Sequence, residues 1–434
     1  MTKTSLPRRR YGTIVAAAIA VGMLTSACSS SGGSSSSGGG TTSSGSSPLT
    51  FDVYSNFTGA QASAGENFIL PGVKVGVAAI NAAGGIMGHK VNVVETDGGS
   101  DPADAVSTAQ QMLVKYPGVT AIVGIGSDIA PVVVPIFNSR HIAMMSAAGT
   151  PALDRNTYAY FYRETQPDSL AGTGVADSVL AKGYKRIVMI FDSSGTSQSD
   201  AQPFLSAYKA RGGTVLANIT IQPDQPSYRT EVAQMASLHP QALVTEEDPQ
   251  SAATLFADMK ELGVLGLPVI GGPETDTAQF IQAVGKAVGG YAAASKWFYE
   301  AYSSNSATPG FTSLQDEYTK VYGSGQANPG NRINYDGTIM LALAMTAAHS
   351  TNPSVYVTYI KQISGNTGTM VTNYSQGVAA LKAGKKIYYD GAEGVYNFNK
   401  YLWPSEPFVL WQLTPQGGVT PVMTLSASEV SSSY

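Results

Sequence analysis

The sequence predicts an α/β protein whose sheets are mostly parallel. From Leu49 to Gly271, apolar segments of strand length alternate with segments of helical period, the rhythm of repeated βαβ units. The 434 residues exceed what one ordinary hydrophobic core holds, so we expect two lobes. Apolar residues make up 43% of the chain and charged residues 13%, which is typical of a globular protein.

One stretch, residues 121–153, indicates where a ligand would bind. It predicts a strand at Ala121–Val123, a glycine-rich turn, a short helix, a second strand at His141–Met145 and the small-residue loop Ser146–Pro151. Both turns follow strands at their carboxyl ends, where open parallel sheets bind ligands. Small side chains let a ligand approach backbone N–H groups, which bind anions at a helix start. We therefore expect one wall of a cleft here.

The charge balance argues against nucleic acid as a partner. The formal net charge is −4, and it includes Lys3 and the arginines at positions 8, 9 and 10. Without the first 27 residues, 22 basic and 30 acidic residues remain, a net charge of −8. A protein of that sign repels phosphate backbones and acidic lipid head groups.

Residues 1–27 have the three-part form of a secretory signal peptide. A basic end precedes the 14-residue apolar run Tyr11–Leu24, which is shorter than the roughly 20 residues that span a bilayer. The next residues, Leu24–Cys28, resemble a bacterial lipobox with Cys28 as the lipidated residue. An ordinary cleavage site with an incidental cysteine is the alternative, and the arginine run leaves twin-arginine export open. Cys28 is the only cysteine, so the folded part has no disulfide or thiol chemistry.

Residues 28–48 predict a tether. Every residue from Ser29 to Ser47 is Ser, Gly or Thr, and such a segment is a flexible coil that spans roughly 25 Å. A lipid, a flexible spacer and a folded body together predict an extracytoplasmic protein anchored to the cell membrane.

The periodicity of the folded body predicts the remaining elements. The expected strands are Leu49–Tyr54, Val91–Thr96, Tyr158–Arg163, Arg186–Phe191, Val215–Ile221, Ala242–Thr245 and Pro268–Gly271. The expected helices include 65–82, 168–182, 310–323, 333–348 and 353–363, and short strands follow from Lys386 to about Met423. Pro71 should kink or start the first helix, and Asp101 should cap the helix that begins at Pro102.

Several phrases, taken in order, resemble one family over residues 49–425. They are Ala79–Gly88, Asp101-Pro102, Ser146–Leu153, Asn334–Gly337, Tyr389–Gly394 and Tyr396–Phe398. The family is the type I periplasmic binding proteins of the branched-chain amino acid (Leu/Ile/Val) class, the substrate-binding subunits of ABC importers. The resemblance implies an amino acid or related small polar solute as ligand, an ABC permease as partner, no cofactor and a monomer.

The resemblance also implies two Rossmann-like lobes joined by three crossing hinge segments, with the ligand cleft between them. The crossings are expected near 164–168, 294–299 and 390–398. Lobe one would then comprise 49–166 plus 297–391, and lobe two 167–296 plus 392–434. In this family the lobes close on the ligand by hinge motion.

Carried over residue by residue, the family's ligand contacts fall on both lobes. A ligand α-carboxylate would meet Ser127 and Asp128 in the first turn. In the second turn it would meet the backbone around Ala148, Gly149 and Thr150. An acid on lobe two typically holds the ligand ammonium, and Gly272-Pro273-Glu274 matches that motif.

The chain departs from the family's usual residues at four positions near the expected cleft: Asp128, Thr196, Glu246 and Glu247. Asp128 would repel a ligand carboxylate unless it faces away, and its alternative role is N-cap of the helix that contains Pro131. Thr196 stands in a loop that lacks the family's usual Tyr-Gly. Glu246 and Glu247 occupy the region where a ring often lines the pocket. These glutamates and Glu274 are either solvated loop charges or the sign of a ligand with additional positive charge or amide groups.

Two other functional classes were weighed. An enzyme is disfavoured because the four histidines lack metal-ligand spacing, no Gly-x-Ser-x-Gly occurs, and Gly124-x-Gly126 lacks the third glycine of a dinucleotide fingerprint. No metal site is predicted, since the pair Asp97 and Asp101 lacks calcium-loop spacing. A lipid-anchored sensor with the same fold, which reports a ligand to a membrane partner, stays open as the alternative to transport.

Overall fold

The computed structural model describes residues 46–59, 62–303 and 308–431. The predicted signal peptide, the lipidation site Cys28 and nearly all of the tether lie outside these residues. Within the described ranges, no helix combines the length and the apolar character needed to cross a bilayer.

The described residues form fourteen strands and fourteen α-helices. The strands are β1 Leu49–Ser55, β2 Val91–Asp97, β3 Val119–Val123, β4 Ala143–Ser146, β5 Phe161–Arg163, β6 Arg186–Asp192, β7 Thr214–Ile221, β8 Ala242–Glu246, β9 Val269–Gly271, β10 Phe298–Ser303, β11 Thr369–Val371, β12 Ile387–Tyr389, β13 Phe408–Leu413 and β14 Val419–Leu425. The helices are α1 Leu70–Ala82, α2 Pro102–Lys115, α3 Ala130–Ser139, α4 Asp168–Ala181, α5 Gly195–Ala210, α6 Arg229–Ser237, α7 Pro249–Glu261, α8 Ala278–Val288, α9 Tyr291–Ala294, α10 Pro309–Tyr322, α11 Pro329–Ala348, α12 Pro353–Ile363, α13 Tyr374–Lys382 and α14 Ala427–Ser431.

Local signals placed two helix starts correctly. Pro71 is the second residue of α1, where the regular helix follows a π-helical turn at Ala64–Ile69. Asp101 caps α2 by accepting a hydrogen bond from the Ala103 N–H at 2.7 Å. Both residues act as expected because proline lacks an N–H and a cap carboxylate accepts an unpaired one.

The first lobe is built on a five-stranded parallel sheet with the order β2-β1-β3-β4-β5. Helix α1 and helices α10 to α13 cover one face, and α2 and α3 cover the other. Every residue of β3 and β4 is buried, because both faces of the sheet carry helices.

The second lobe is built on a seven-stranded sheet with the order β14-β13-β10-β9-β8-β6-β7. Strands β6 to β10 are parallel, whereas β13 and β14 are antiparallel. The predicted lobe boundary at residue 297 is wrong, because strand β10 belongs to the seven-stranded sheet. Phe298 packs among the helices on one face of this sheet and Ala301 among those on the other, so the strand belongs to lobe two. The second crossing therefore follows Ser303 rather than lying at 294–299.

The third crossing also lies later than the predicted 390–398. Tyr396 and Phe398 pack in the core of the first lobe, whereas Trp403 packs in the core of the second. The Trp403 indole donates a hydrogen bond to the Asp154 carbonyl at 2.8 Å. The first crossing, between Arg163 and Asp168, lies where the resemblance put it.

Asp336 on α11 fastens the first lobe to the start of the third crossing. Its buried carboxylate accepts four hydrogen bonds: from the hydroxyls of Tyr389 and Tyr396 at 2.7 and 3.1 Å, and from the N–H groups of Ala392 and Glu393 at 2.8 and 2.9 Å. The phrases Asn334–Gly337 and Tyr389–Gly394 recur together because one supplies the acceptor and the other the donors.

We predict that Asp336→Ala lowers the free energy of unfolding by about 3–5 kcal/mol, because four buried donors lose their acceptor at once. Urea denaturation measures the effect. Asp316→Ala on the exposed face of α10 is the matched control and should change the free energy by less than about 0.5 kcal/mol. A loss below about 1 kcal/mol for Asp336→Ala would mean that other contacts hold the crossing.

Candidate functional site

The two turns of the first lobe lie side by side, as the sequence predicted. The Gly149 N–H donates to the Ser127 hydroxyl oxygen at 3.1 Å. The Ser146 hydroxyl donates to the Ile125 carbonyl at 2.7 Å and accepts from the Ala148 N–H at 3.0 Å. One wall is thus built from the carboxyl ends of β3 and β4.

The same contacts change what this wall offers a ligand. The Ala148 and Gly149 N–H groups both donate to serine oxygens within the protein. The Thr150 carbonyl accepts from the Arg163 guanidinium at 2.7 Å, which fixes the end of the loop. A ligand carboxylate would have to displace Ser127 or Ser146 before it reached those amides.

Asp128 is not the N-cap of α3. The helix begins at Ala130 with Ile129 at the cap position, and Asp128 lies one residue too early to serve. Its carboxylate instead accepts from the Asn56 amide at 3.0 and 3.1 Å and from the Ile129 N–H at 3.1 Å. Partial burial raises the pKa of Asp128, although Asn56 opposes the shift.

The acids of the second lobe are not all solvated loop charges. Glu246 ends β8 and is 0% exposed, and Glu247 is 3% exposed. Glu247 accepts a hydrogen bond from the Thr245 hydroxyl. Only Glu274, in the turn after β9, is exposed. Thr196 lies in the first turn of α5, and its side chain lies outside the described part of the structure.

Asp168 joins the two walls. Its N–H donates to the Gly149 carbonyl at 2.9 Å, and its carboxylate accepts from the Ser199 hydroxyl at 2.9 Å. A Cβ at position 149 would lie 1.6 Å from a carboxylate oxygen of Asp168, so only glycine permits this approach. Asp168 therefore lies at the base of the cleft, between the second turn of lobe one and α5 of lobe two.

Asp168 belongs to a cluster of four carboxyl groups, which we call the floor cluster: Asp168, Asp200, Glu246 and Glu274. The strongest charged neighbours of Asp200 and Glu246 are the other members of the cluster. Within the described residues, neither Glu246 oxygen accepts a hydrogen bond from an N–H or a hydroxyl, and Asp200 Oδ1 likewise has no donor. A Cβ at Gly272 would lie 1.9 Å from Glu246 Oε2, so glycine makes room for this carboxylate.

Comparison with known proteins decides the family. A family model described as periplasmic binding protein matches residues 53–398, most of the chain. The chain belongs to the periplasmic binding protein family.

Individual relatives are more distant. The Leu/Ile/Val-binding protein of Escherichia coli K12 is 28% identical over 167 residues, which cover 38% of this chain and 45% of that protein. Glutamate receptor 3.4 of Arabidopsis thaliana is 26% identical over 217 residues, 49% of this chain and 22% of the receptor. The chain therefore matches less than half the length of these two relatives.

The fold is shared over nearly the whole body. A branched-chain amino acid substrate-binding protein from Streptococcus pneumoniae, solved with isoleucine, superposes with a TM-score of 0.67 at 19% identity, covering 87% of this chain and 99% of that one. The two-lobed α/β architecture is thus that of periplasmic binding proteins.

Sequence reasoning missed two members of the floor cluster. Asp168 was identified only as the first residue of a helix, and Asp200 was not singled out. A signal existed for Asp200, because it lies four residues after Thr196 and so on the same face of α5. For Asp168 the decisive feature is its contact with Gly149, which no local pattern encodes.

Burial and mutual repulsion raise the pKa values of these acids. Enclosure by protein raises the pKa of Glu274 to about 7 despite its exposed surface, and the charges of Asp168 and Asp192 add to the shift. Burial raises the pKa of Asp168 to about 6, against the effect of the Ser199 hydroxyl. Burial and the neighbouring carboxylates raise the pKa values of Asp200 and Glu246 well above their usual range.

No metal centre is formed by the described residues, in which no three His, Cys, Asp or Glu side chains are arranged to hold an ion. The floor cluster is a set of carboxyl groups whose charges repel one another. Such a site suits hydrogen-bond donors and positive charges rather than anions.

We predict that the ligand-free protein loses stability as the pH rises from about 5 to 8. Burial raises the pKa of Glu247 from its usual 4.5 to about 8, so the folded state holds a proton that the unfolded chain has already released. Such a group lowers the free energy of unfolding by up to about 1.4 kcal/mol per pH unit within its window.

Urea denaturation at pH 5.5, 6.5 and 7.5 measures this dependence. Glu247→Gln should flatten the slope, whereas Glu261→Gln, at an exposed position at the end of α7, should leave it unchanged. A free energy of unfolding that rises over this range would show that the acids are ionised without cost.

Proposed function

We propose that this protein captures a small solute in the cleft between its lobes and delivers it to an ABC permease. The observation that carries the proposal is that Asp168 contacts both the loop after β4 of lobe one and α5 of lobe two, and that its charge acts on the acids that follow β8 and β9. Ligands of open parallel sheets bind outside the carboxyl ends of the strands.

Hinge closure is the proposed binding mechanism. The lobes are connected by crossings of a few residues, and outside them Arg332 Nη2 of lobe one lies 3.9 Å from Asp276 Oδ2 of lobe two. Rotation about the crossings would shorten or break that contact without disturbing either core. A solute that binds both walls favours the closed form by its differential affinity for the two forms.

The proposed ligand is an amino acid of the branched-chain type or a related small polar solute, in keeping with the Leu/Ile/Val-binding protein among the relatives. The proposed contacts in lobe one are Ser127, Asp128, Ala148, Gly149 and Thr150. In lobe two they are Thr196, Glu247 and Glu274. Glu274 is the best supported of these, since its carboxylate is exposed in the turn after β9.

The proposed location is the outer face of the cell membrane. It rests on the signal peptide, Cys28 as the lipidated residue and the Ser/Gly-rich tether, and the resemblance adds monomeric action with a membrane permease.

A ligand sensor with the same anchor is the second candidate, and the match to a plant glutamate receptor favours it. Loss of solute uptake on deletion of the gene separates transport from sensing.

We predict that Glu274→Gln weakens binding of the proposed solute by about 10- to 100-fold, because a charged hydrogen bond of about 1.5–3 kcal/mol is lost. A thermal-shift panel of amino acids, amides and amines identifies the solute, and calorimetry gives its Kd. Small-angle X-ray scattering should show a smaller radius of gyration with the solute bound.

Glu261→Gln is the matched control and should bind as the unchanged protein does, since Glu261 pairs with Arg229 on the surface. Saturable binding without compaction would contradict hinge closure. Full affinity in Glu274→Gln would remove Glu274 from the site and leave the solute-binding function standing.

A further inference from the structure

The floor cluster carries more negative charge than its surroundings balance. Asp200 is 5% exposed and Glu246 is 0% exposed, and their carboxyl groups lie close enough to share one proton. Asp168 and Glu274 lie above this pair, nearer the solvent. An isolated buried carboxylate costs several kcal/mol unless a donor or a cation accompanies it.

Two arginines of the described residues lie near the cluster, and each pairs with an acid outside it; Arg163 also acts on Asp168, where it opposes the increase in pKa that burial causes. Arg163 pairs with Asp154 at 3.0 Å and also donates to the Thr150 carbonyl. Arg332 pairs with Glu393 at 2.6 Å and approaches Asp276. The strongest charged neighbours of Asp200, Glu246 and Glu274 are all carboxylates.

The facing wall does not offer an anion site either. The Ala148 and Gly149 N–H groups are satisfied by serine oxygens, and Asp128 adds a carboxylate held by Asn56. Arg163 is the cation whose charge acts on Asp168, and it is also held by Asp154 and the Thr150 carbonyl. The other three members have only carboxylates as their strongest charged neighbours, so both walls favour positive charge. A cleft lined by one sign of charge concentrates solutes of the opposite sign.

We propose that the cleft takes a small solute with two positively charged groups, and that the floor cluster binds them. This proposal rests on the solute-binding function proposed above and names the class of solute. Glu274 and Asp168 contact the two cationic groups, and the buried Asp200–Glu246 pair is a positioning pair that supplies negative potential beneath them.

Isothermal titration calorimetry with four probes tests the proposal: L-lysine, L-leucine, 1,4-diaminobutane and 1-aminobutane. Within each pair the probes differ by one positive charge, and the pairs differ by the presence of a carboxylate. We call L-lysine and 1,4-diaminobutane the dications, and L-leucine and 1-aminobutane their matched probes. We expect at least one dication to bind at least about tenfold more tightly than its matched probe, and this ratio of affinities should fall as sodium chloride is added. The better dication shows whether the solute is a basic amino acid or a diamine.

The variant Glu246→Gln tests the positioning pair. It removes a carboxyl group that can ionise beneath a bound cation and that no ligand atom needs to touch, so we expect the preference for the dication over the matched probe with one positive charge to fall about tenfold or more. The affinity for 1-aminobutane or L-leucine should change less. Glu261→Gln is the control, and circular dichroism checks that each variant folds. A merely structural role would weaken all four probes alike.

The outcomes separate the two proposals. Tight binding of L-leucine with no gain for L-lysine or 1,4-diaminobutane would overturn the dication proposal and support the branched-chain form of the solute-binding function. Absence of binding by both dications would likewise overturn it. An unchanged dication preference in Glu246→Gln would remove the positioning pair from the proposal.

Discussion

The architecture of the site depends on one contact, the approach of Asp168 to Gly149. It joins the second turn of lobe one to the first residue of α4, immediately after the first crossing. Asp168 also accepts a hydrogen bond from Ser199, so the same residue contacts α5, the helix that carries Asp200. The ends of two separate sheets are thereby brought to a common space, and no single lobe could form it.

Much of the fold followed from the sequence because its signals are local. The periodicity identified strands such as β1, β2, β6 and β7, and proline and aspartate marked the starts of α1 and α2. The lobe boundary at residue 297 was wrong because β10 lies inside the second sheet, and no local pattern in Phe298–Ser303 indicates which sheet receives it. Which sheet receives such a strand depends on long-range pairing with β9 and β13.

The candidate site was predicted less completely. The adjacency of the Ser127 and Gly149 turns followed from the rule for parallel sheets, and Glu274 followed from a motif. The burial of Glu246 and Glu247 did not, because a carboxylate after a strand is usually solvated and only the packing of Gly272 reverses that expectation. The N-cap alternative for Asp128 was wrong because α3 begins at Ala130, and the partner that holds its carboxylate, Asn56, lies 72 residues away in the sequence.

The floor cluster links stability to function through the same carboxyl groups. Without a ligand, these acids retain protons or repel one another, and either effect lowers the free energy of unfolding of the protein. In the proposed mechanism a cation in the cleft would replace the protons and remove the repulsion, and part of the closure energy would then come from relief of strain in the ligand-free state. Functional sites commonly carry such unfavourable charge, because a fully compensated cleft would gain little from its ligand.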